Sequence, residues 1–126
     1  MEKVEFLILR NLLHNEEYVR KVIPFIKSEY FEDNNQKIVF EEILDFVQEY
    51  NQLATKEVLC IEVEKRKDIN DTSFKEIVQL ISCLEDVPVE SGWLIDTTEK
   101  WCRDRAIYLA LMESIHIADG KDEKIS

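Results

Sequence analysis

Glycine and proline are nearly missing, with two of each in 126 residues. Sandwiches and barrels need frequent Gly- and Pro-bearing turns, so a turn-rich β-fold is excluded. A Gly-rich loop that cradles phosphate is excluded too, because Gly92 and Gly120 are the only glycines and neither precedes Gly-Lys-Ser/Thr. Positive charge is also short: 16 Lys and Arg face 27 Asp and Glu, for a net charge of −11. Sequence-independent DNA affinity comes from Lys and Arg releasing counterions, and a surface of this sign repels a phosphate backbone. It stays solvated, and it leaves room for a basic protein partner. No apolar run approaches the roughly 20 residues of a membrane span. Charged Glu2, Lys3 and Glu5, with no small-residue cleavage site after them, argue against a signal peptide. The three cysteines, Cys60, Cys83 and Cys102, are an odd number without a CxxC pair. Each lies beside apolar residues in a predicted helix, where a free thiol packs as a small hydrophobe. That usage fits a reducing compartment, so the expected location is the cytoplasm.

What is present is a core. An apolar fraction of 45% is enough to fold, and 126 residues are the size of one domain. Val4 to His14 is apolar almost all round, as in a buried or partner-covered helix. Asn15-Glu16-Glu17 reads as a second helix start, and Pro24 limits that helix near Ile23. Ser28-Glu29-Tyr30-Phe31 is a short aromatic connector. Asp33-Asn34-Asn35 caps a strong helix to about Tyr50, in which Val39, Ile43, Phe46 and Tyr50 form one stripe widened by Phe40, Leu44 and Val47. Thr55 can cap a fourth helix over Lys56 to Lys67. By composition, residues 58–63 read equally well as a buried strand, and the lack of a second strand to pair with selects helix. Asn70 to Ser73 is a dense N-cap signal, with Ser73 and Glu76 at capping-box spacing. Phe74, Ile77, Val78, Ile81 and Leu84 follow helical spacing until Pro88 closes the segment. Phe40, Ile43, Val47, Phe74, Ile77 and Ile81 are expected to be buried. The expected architecture is all-α, a compact bundle of about six helices with a long C-terminal helix projecting from it.

That last helix begins at Ser91 and should end at Gly120, leaving a polar tail from Lys121 to Ser126. Its length of roughly 43 Å exceeds the roughly 35 Å across a globule of this chain length, so it should protrude. Leu94, Thr98, Trp101, Arg105, Tyr108, Met112 and Ile115 alternate four- and three-residue steps, the spacing of a coiled-coil seam. Beyond Arg105 a second apolar face is expected on the opposite side, through Ile107, Ala110, Leu111 and Ala118. One core cannot cover both faces. Trp101, Arg105, Ile107, Tyr108, Leu111, Met112, Ile115 and Ala118 are therefore the candidate subunit-interface residues, and Arg105 can pair either with a neighbour or within its own chain.

Residues that carry chemistry do not cluster. His14 and His116 show no metal-ligand spacing with the cysteines, and nothing local pairs a cysteine with a histidine for nucleophilic work. Glu16-Glu17 and Glu41-Glu42 fall on polar helix faces, where solvation accounts for them better than a catalytic dyad. No catalytic, cofactor or metal residue is expected.

Several local words in fixed order carry a resemblance. They are Ser28-Glu29-Tyr30-Phe31-Glu32, the long helix around Phe40 and Tyr50, and Leu80-Ile81-Ser82-Cys83-Leu84 with Pro88. Ser91-Gly92-Trp93-Leu94 and Thr98-Glu99-Lys100 follow, leading into Arg103-Asp104-Arg105-Ala106. Over nearly the whole chain this order resembles the N-terminal domain of DnaB-type replicative helicases, in the form found in T4-like phages. None of the words is a catalytic motif. The resemblance implies a single domain, residues 1–126, of an ATP- and magnesium-dependent hexameric helicase moving 5′ to 3′ on single-stranded DNA, its RecA-like motor lying outside this sequence. It also implies that this domain forms a collar of globular heads and paired helical hairpins, engages the primase, and works in the cytoplasm, that of the host if the protein is phage-encoded. The last helix would be the first arm of such a hairpin. The alternative is a stand-alone helical adaptor or regulator that binds another protein through the same helix. On either reading the chain should neither hydrolyse ATP nor bind single-stranded DNA at physiological salt. A DNA-stimulated ATPase that purifies with the polypeptide would overturn the domain assignment.

Overall fold

Besides the last helix, four helices open on a side-chain cap supplied by their own sequence. Asn15 Oδ1 accepts from Tyr18 N at 3.0 Å, Asp33 Oδ2 from Gln36 N at 3.0 Å, Thr55 Oγ1 from Val58 N at 3.2 Å and Asn70 Oδ1 from Ser73 N at 2.8 Å. Each satisfies one orphan N–H of a first turn, which is typically worth about 1 kcal/mol. The computed structural model describes the backbone of residues 3–125 and the side chains of residues 3–117. Its elements are α1 (Lys3–His14), α2 (Glu16–Val22), a 3-10 turn (Ser28–Tyr30), α3 (Asn34–Tyr50), α4 (Lys56–Glu64), α5 (Asp71–Ser82) and α6 (Ser91–Ile125). No strand occurs among the described residues, and the ambiguous 58–63 stretch is helical.

α3 is the centre of the bundle. It packs against α1, α4, α5 and the Ser28–Tyr30 turn, while α6 lies across α1, α2 and that turn. Ile8, Leu9 and Leu12 of α1, Val39, Phe40 and Ile43 of α3, Leu59 and Val63 of α4, and Ile77 and Ile81 of α5 are fully buried. Burying one such side chain contributes roughly 1.5–3 kcal/mol, so this shared interior outweighs any single cap. Asn51 closes α3 in the left-handed region at φ 54°, its N–H donating to Val47 O at 2.8 Å. Asparagine tolerates that geometry better than most residues. His14 Nε2 lies 2.6 Å from Leu84 O, and Lys56 Nζ donates to Ser82 O at 3.0 Å, so both α1 and α4 hold the chain where it leaves α5.

Several boundaries and burials differ from the sequence expectation. α4 ends at Glu64, not Lys67. Lys65 N and Arg66 N bond to Glu62 O and Val63 O, tightening the chain into a turn. The Arg66 guanidinium is then held by Glu41, Glu42 and Asp68 at 2.6–3.1 Å. Hydrogen bonding to Arg66 holds the Asp68 carboxyl below the usual carboxylate range. The Ser73/Glu76 capping box does not form. Asn70 is the cap, and the Glu76 carboxylate instead accepts from Asn35 Nδ2 at 3.0 Å, tying α5 to α3. Val47 and Phe74 are half-buried, and Tyr50 is exposed, its ring stacked on Phe46 at 4.8 Å. Cys83 lies past the end of α5 and is exposed. Gly120 does not end the last helix, which runs on to Ile125 with no glycine at positive φ. A mid-helix glycine costs only about 1 kcal/mol relative to alanine, too little to stop it.

Two measurements follow from this packing. Phe40→Ala should lower stability by about 3–5 kcal/mol in urea denaturation, and Phe74→Ala by clearly less; equal midpoints for both would mean that the α3 interior is not where the fold is held. Iodoacetamide should modify Cys83 quickly and Cys102 only on unfolding. Burial, and secondarily the Glu99 carboxylate, push the buried Cys102 thiol up to about 11. Labelling of Cys102 at the rate of Cys83 in the folded protein would contradict its placement.

Candidate functional site

α6 has one sequence of 35 residues and two environments. At 1.5 Å per residue it is about 52 Å long, far longer than the bundle can cover. Its first part is held. Glu90 Oε2 accepts from Trp93 N at 2.6 Å and caps the start. Leu94, Thr98 and Cys102 are buried against the bundle. Thr98 Oγ1 donates to Leu94 O at 2.8 Å, which leaves the Tyr18 hydroxyl, 2.6 Å away, as the donor to Thr98. Burial pushes the Tyr18 phenol well above its ordinary range, so it stays protonated and keeps that role. A polar residue inside the interior is thereby satisfied in both directions.

One turn further on, α6 meets the aromatic connector. The Trp101 ring packs 5.0 Å from Phe31 and edge-on to Tyr30 at 6.0 Å, and Phe31 continues inward to Phe40 at 5.3 Å. Arg105 Nε donates to Tyr30 O at 2.6 Å and its Nη1 to Glu32 Oε1 at 3.1 Å, while its guanidinium lies 5.0 Å over the Tyr108 ring. The Arg105 side chain is only 13% exposed. Of the two pairings open to it from sequence, the structure forms one within the chain. No signal in the sequence pointed to the Tyr30 carbonyl, because a backbone acceptor leaves no residue pattern.

Past Arg105 the helix is uncovered on most of its surface. Ile107, Tyr108, Leu111, Met112 and Ile115 are between 45% and 60% exposed. At about 100° per residue these five fall within one arc of about 140°, so the seam and the second face merge into a single broad apolar surface. Ile117, absent from the sequence-based set, is also exposed and projects elsewhere on the helix. Leu109 alone in this stretch is partly buried against the core. The Ala118 side chain lies outside the described residues. Contiguous exposed apolar surface of this kind marks an interaction site more often than a solvated one. Among the described residues no His, Cys, Asp and Glu gather as metal ligands, and no helix is long and apolar enough to cross a membrane.

The family described as "DnaB-like helicase N terminal domain" matches residues 1–92 and so ends at the second residue of α6. The "DnaB-like replicative helicase" of Enterobacteria phage T4 is 33% identical over 111 residues, which cover 88% of this chain and 23% of that protein. The chain thus spans less than a quarter of the relative's length. With the capped bundle inside the matched region and a shared sequence extending over most of the chain, this protein belongs to the DnaB-like helicase N-terminal domain family.

Proposed function

We propose that this chain is the non-catalytic collar of an ATP-dependent replicative helicase moving 5′ to 3′ on single-stranded DNA, joining subunits through α6 and engaging the primase beside the motor. The observation that carries this reading is the exposed apolar arc past Arg105. A helix end burying nothing would fray, so a folded end of this composition calls for a partner surface. Ile107, Tyr108, Leu111, Met112, Ile115 and Ala118 would form the contact, with Trp101 and Arg105 at its base directing the helix out of the bundle. A second copy covers the arc in the isolated chain, and the ring of the whole protein is a hexamer.

The motor, with its ATP and magnesium, would belong to the part of the protein beyond the length shared with the phage T4 relative. A nucleotide phosphate does not fit at the start of the last helix. The start of α6 is already filled by the Glu90 carboxylate, and a Cβ added at Gly92 would lie 3.3 Å from Glu90 Oε2. A phosphate at that helix start would face a carboxylate, so no step of nucleotide chemistry is assigned to this chain. Its part is mechanical: apolar helix faces hold subunits together so that DNA can thread between them while primase sits next to the motor.

Sedimentation equilibrium over a wide concentration range tests the association. The parent chain should dimerise, and Ile107→Glu/Leu111→Glu should abolish dimerisation with helix content nearly unchanged, because an unpaired charge is expensive to bury. A parent that stays monomeric at every concentration, together with a double variant that unfolds, would assign the arc to the chain's own core and end this reading.

A further inference from the structure

The arginines of this chain are almost all in use. Arg20, Arg66 and Arg105 form ion pairs, and Arg10 lies 6.0 Å from the centre of the Phe6 ring. Arg103 is exposed and has neither an ion pair nor a ring contact among the described residues. It lines a groove of about 330 Å³ together with Phe25, Tyr30, Glu99, Cys102 and Ala106. Tyr30 and Cys102 are its buried floor. Phe25 stands 59% exposed at the opposite side, fixed in the turn after Pro24 by its N–H bond to Val22 O at 2.9 Å. Glu99 precedes Arg103 by one helical turn, a spacing at which such residues ordinarily pair. Here they do not, so one wall of the groove carries a separate anion and cation.

We propose that this groove docks a short segment of a partner protein that presents a carboxylate to Arg103 and a bulky apolar side chain to the space between Phe25 and the Cys102–Ala106 wall. Exposed aromatic and arginine side chains around a concave apolar floor are the composition of an interface hot spot. Charge complementarity selects the occupant. Arg103 attracts a carboxylate, and Glu99 repels a second one at the other end, so the segment is held in one direction. A nucleic acid does not fit, because one free arginine on a chain of net charge −11 cannot neutralise a phosphate backbone. A second copy already has the apolar arc of α6, and at about 100° per residue Arg103 projects about 110° and Ala106 about 170° from the centre of that arc, both outside it.

The test is selection of random 12-residue displayed peptides on the full chain, with counter-selection on Phe25→Ala/Arg103→Glu. Enriched peptides should carry Asp or Glu within one turn of Phe, Leu or Trp. A synthetic peptide of that kind should bind the parent chain in fluorescence anisotropy and weaken at least about tenfold with Arg103→Glu and with Phe25→Ala alone. Lys75→Glu, an exposed change on α5, should leave binding unaltered. Circular dichroism should be unchanged throughout, since Phe25 and Arg103 are exposed. The proposal fails if no acidic–apolar motif is enriched, or if the peptide binds both variants as it binds the parent. It also fails if Phe25→Ala or Arg103→Glu alters self-association in sedimentation, which would make a second copy the occupant.

Discussion

The course of α6 depends on one interlocked contact. Trp101 sits against Tyr30 and Phe31, and Arg105 donates to the Tyr30 carbonyl from a mostly buried guanidinium. The connector that supplies these acceptors is also the lid of the core, because Phe31 reaches Phe40 in the middle of α3. A short 3-10 turn therefore joins the centre of the bundle to the helix that leaves it. The aromatic part of this contact is non-directional and gives most of the burial. The arginine bonds are directional and fix where along α6 the bundle ends.

Apart from Arg105, charge is arranged mostly around that frame. The ion pairs at Glu16–Arg20, Glu17–Lys21 and Lys100–Asp104 follow one-turn helical spacing on exposed faces, where each is worth little. The Arg66 cluster differs, since it crosses from the end of α4 to α3 and is less exposed. It stabilises a turn that short-range propensity alone would have left as helix. The acidic excess is thus mostly a solvating coat over an apolar interior.

Helix starts and core stripes were legible because their causes are local. Asn15, Asp33, Thr55 and Asn70 act on N–H groups three residues away, and the positions of Ile43, Ile77 and Ile81 follow from period alone. What escaped was set at a distance. α4 stops where Arg66 finds carboxylates on α3, and Glu76 leaves Ser73 for Asn35. Thr98 is buried because Tyr18, separated from it by 80 positions, supplies its donor. Gly120 misled in the other direction, since a glycine licenses a helix end without requiring one. The apolar residues beyond Arg105 could be picked out from sequence, but not their merging into one arc, because that depended on where the bundle releases the helix.

Arg105 also divides α6 into two mutational regimes. Before it, a change at Leu94, Thr98 or Trp101 is felt by the interior, and few replacements fit. After it, Leu111 or Ile115 can be replaced by a residue of different shape without disturbing anything that holds the bundle together. On the proposed reading, drift along the outer half would retune what the helix recognises while the fold beneath is inherited unchanged, so that divergent lineages could keep the same head and still cease to recognise one another.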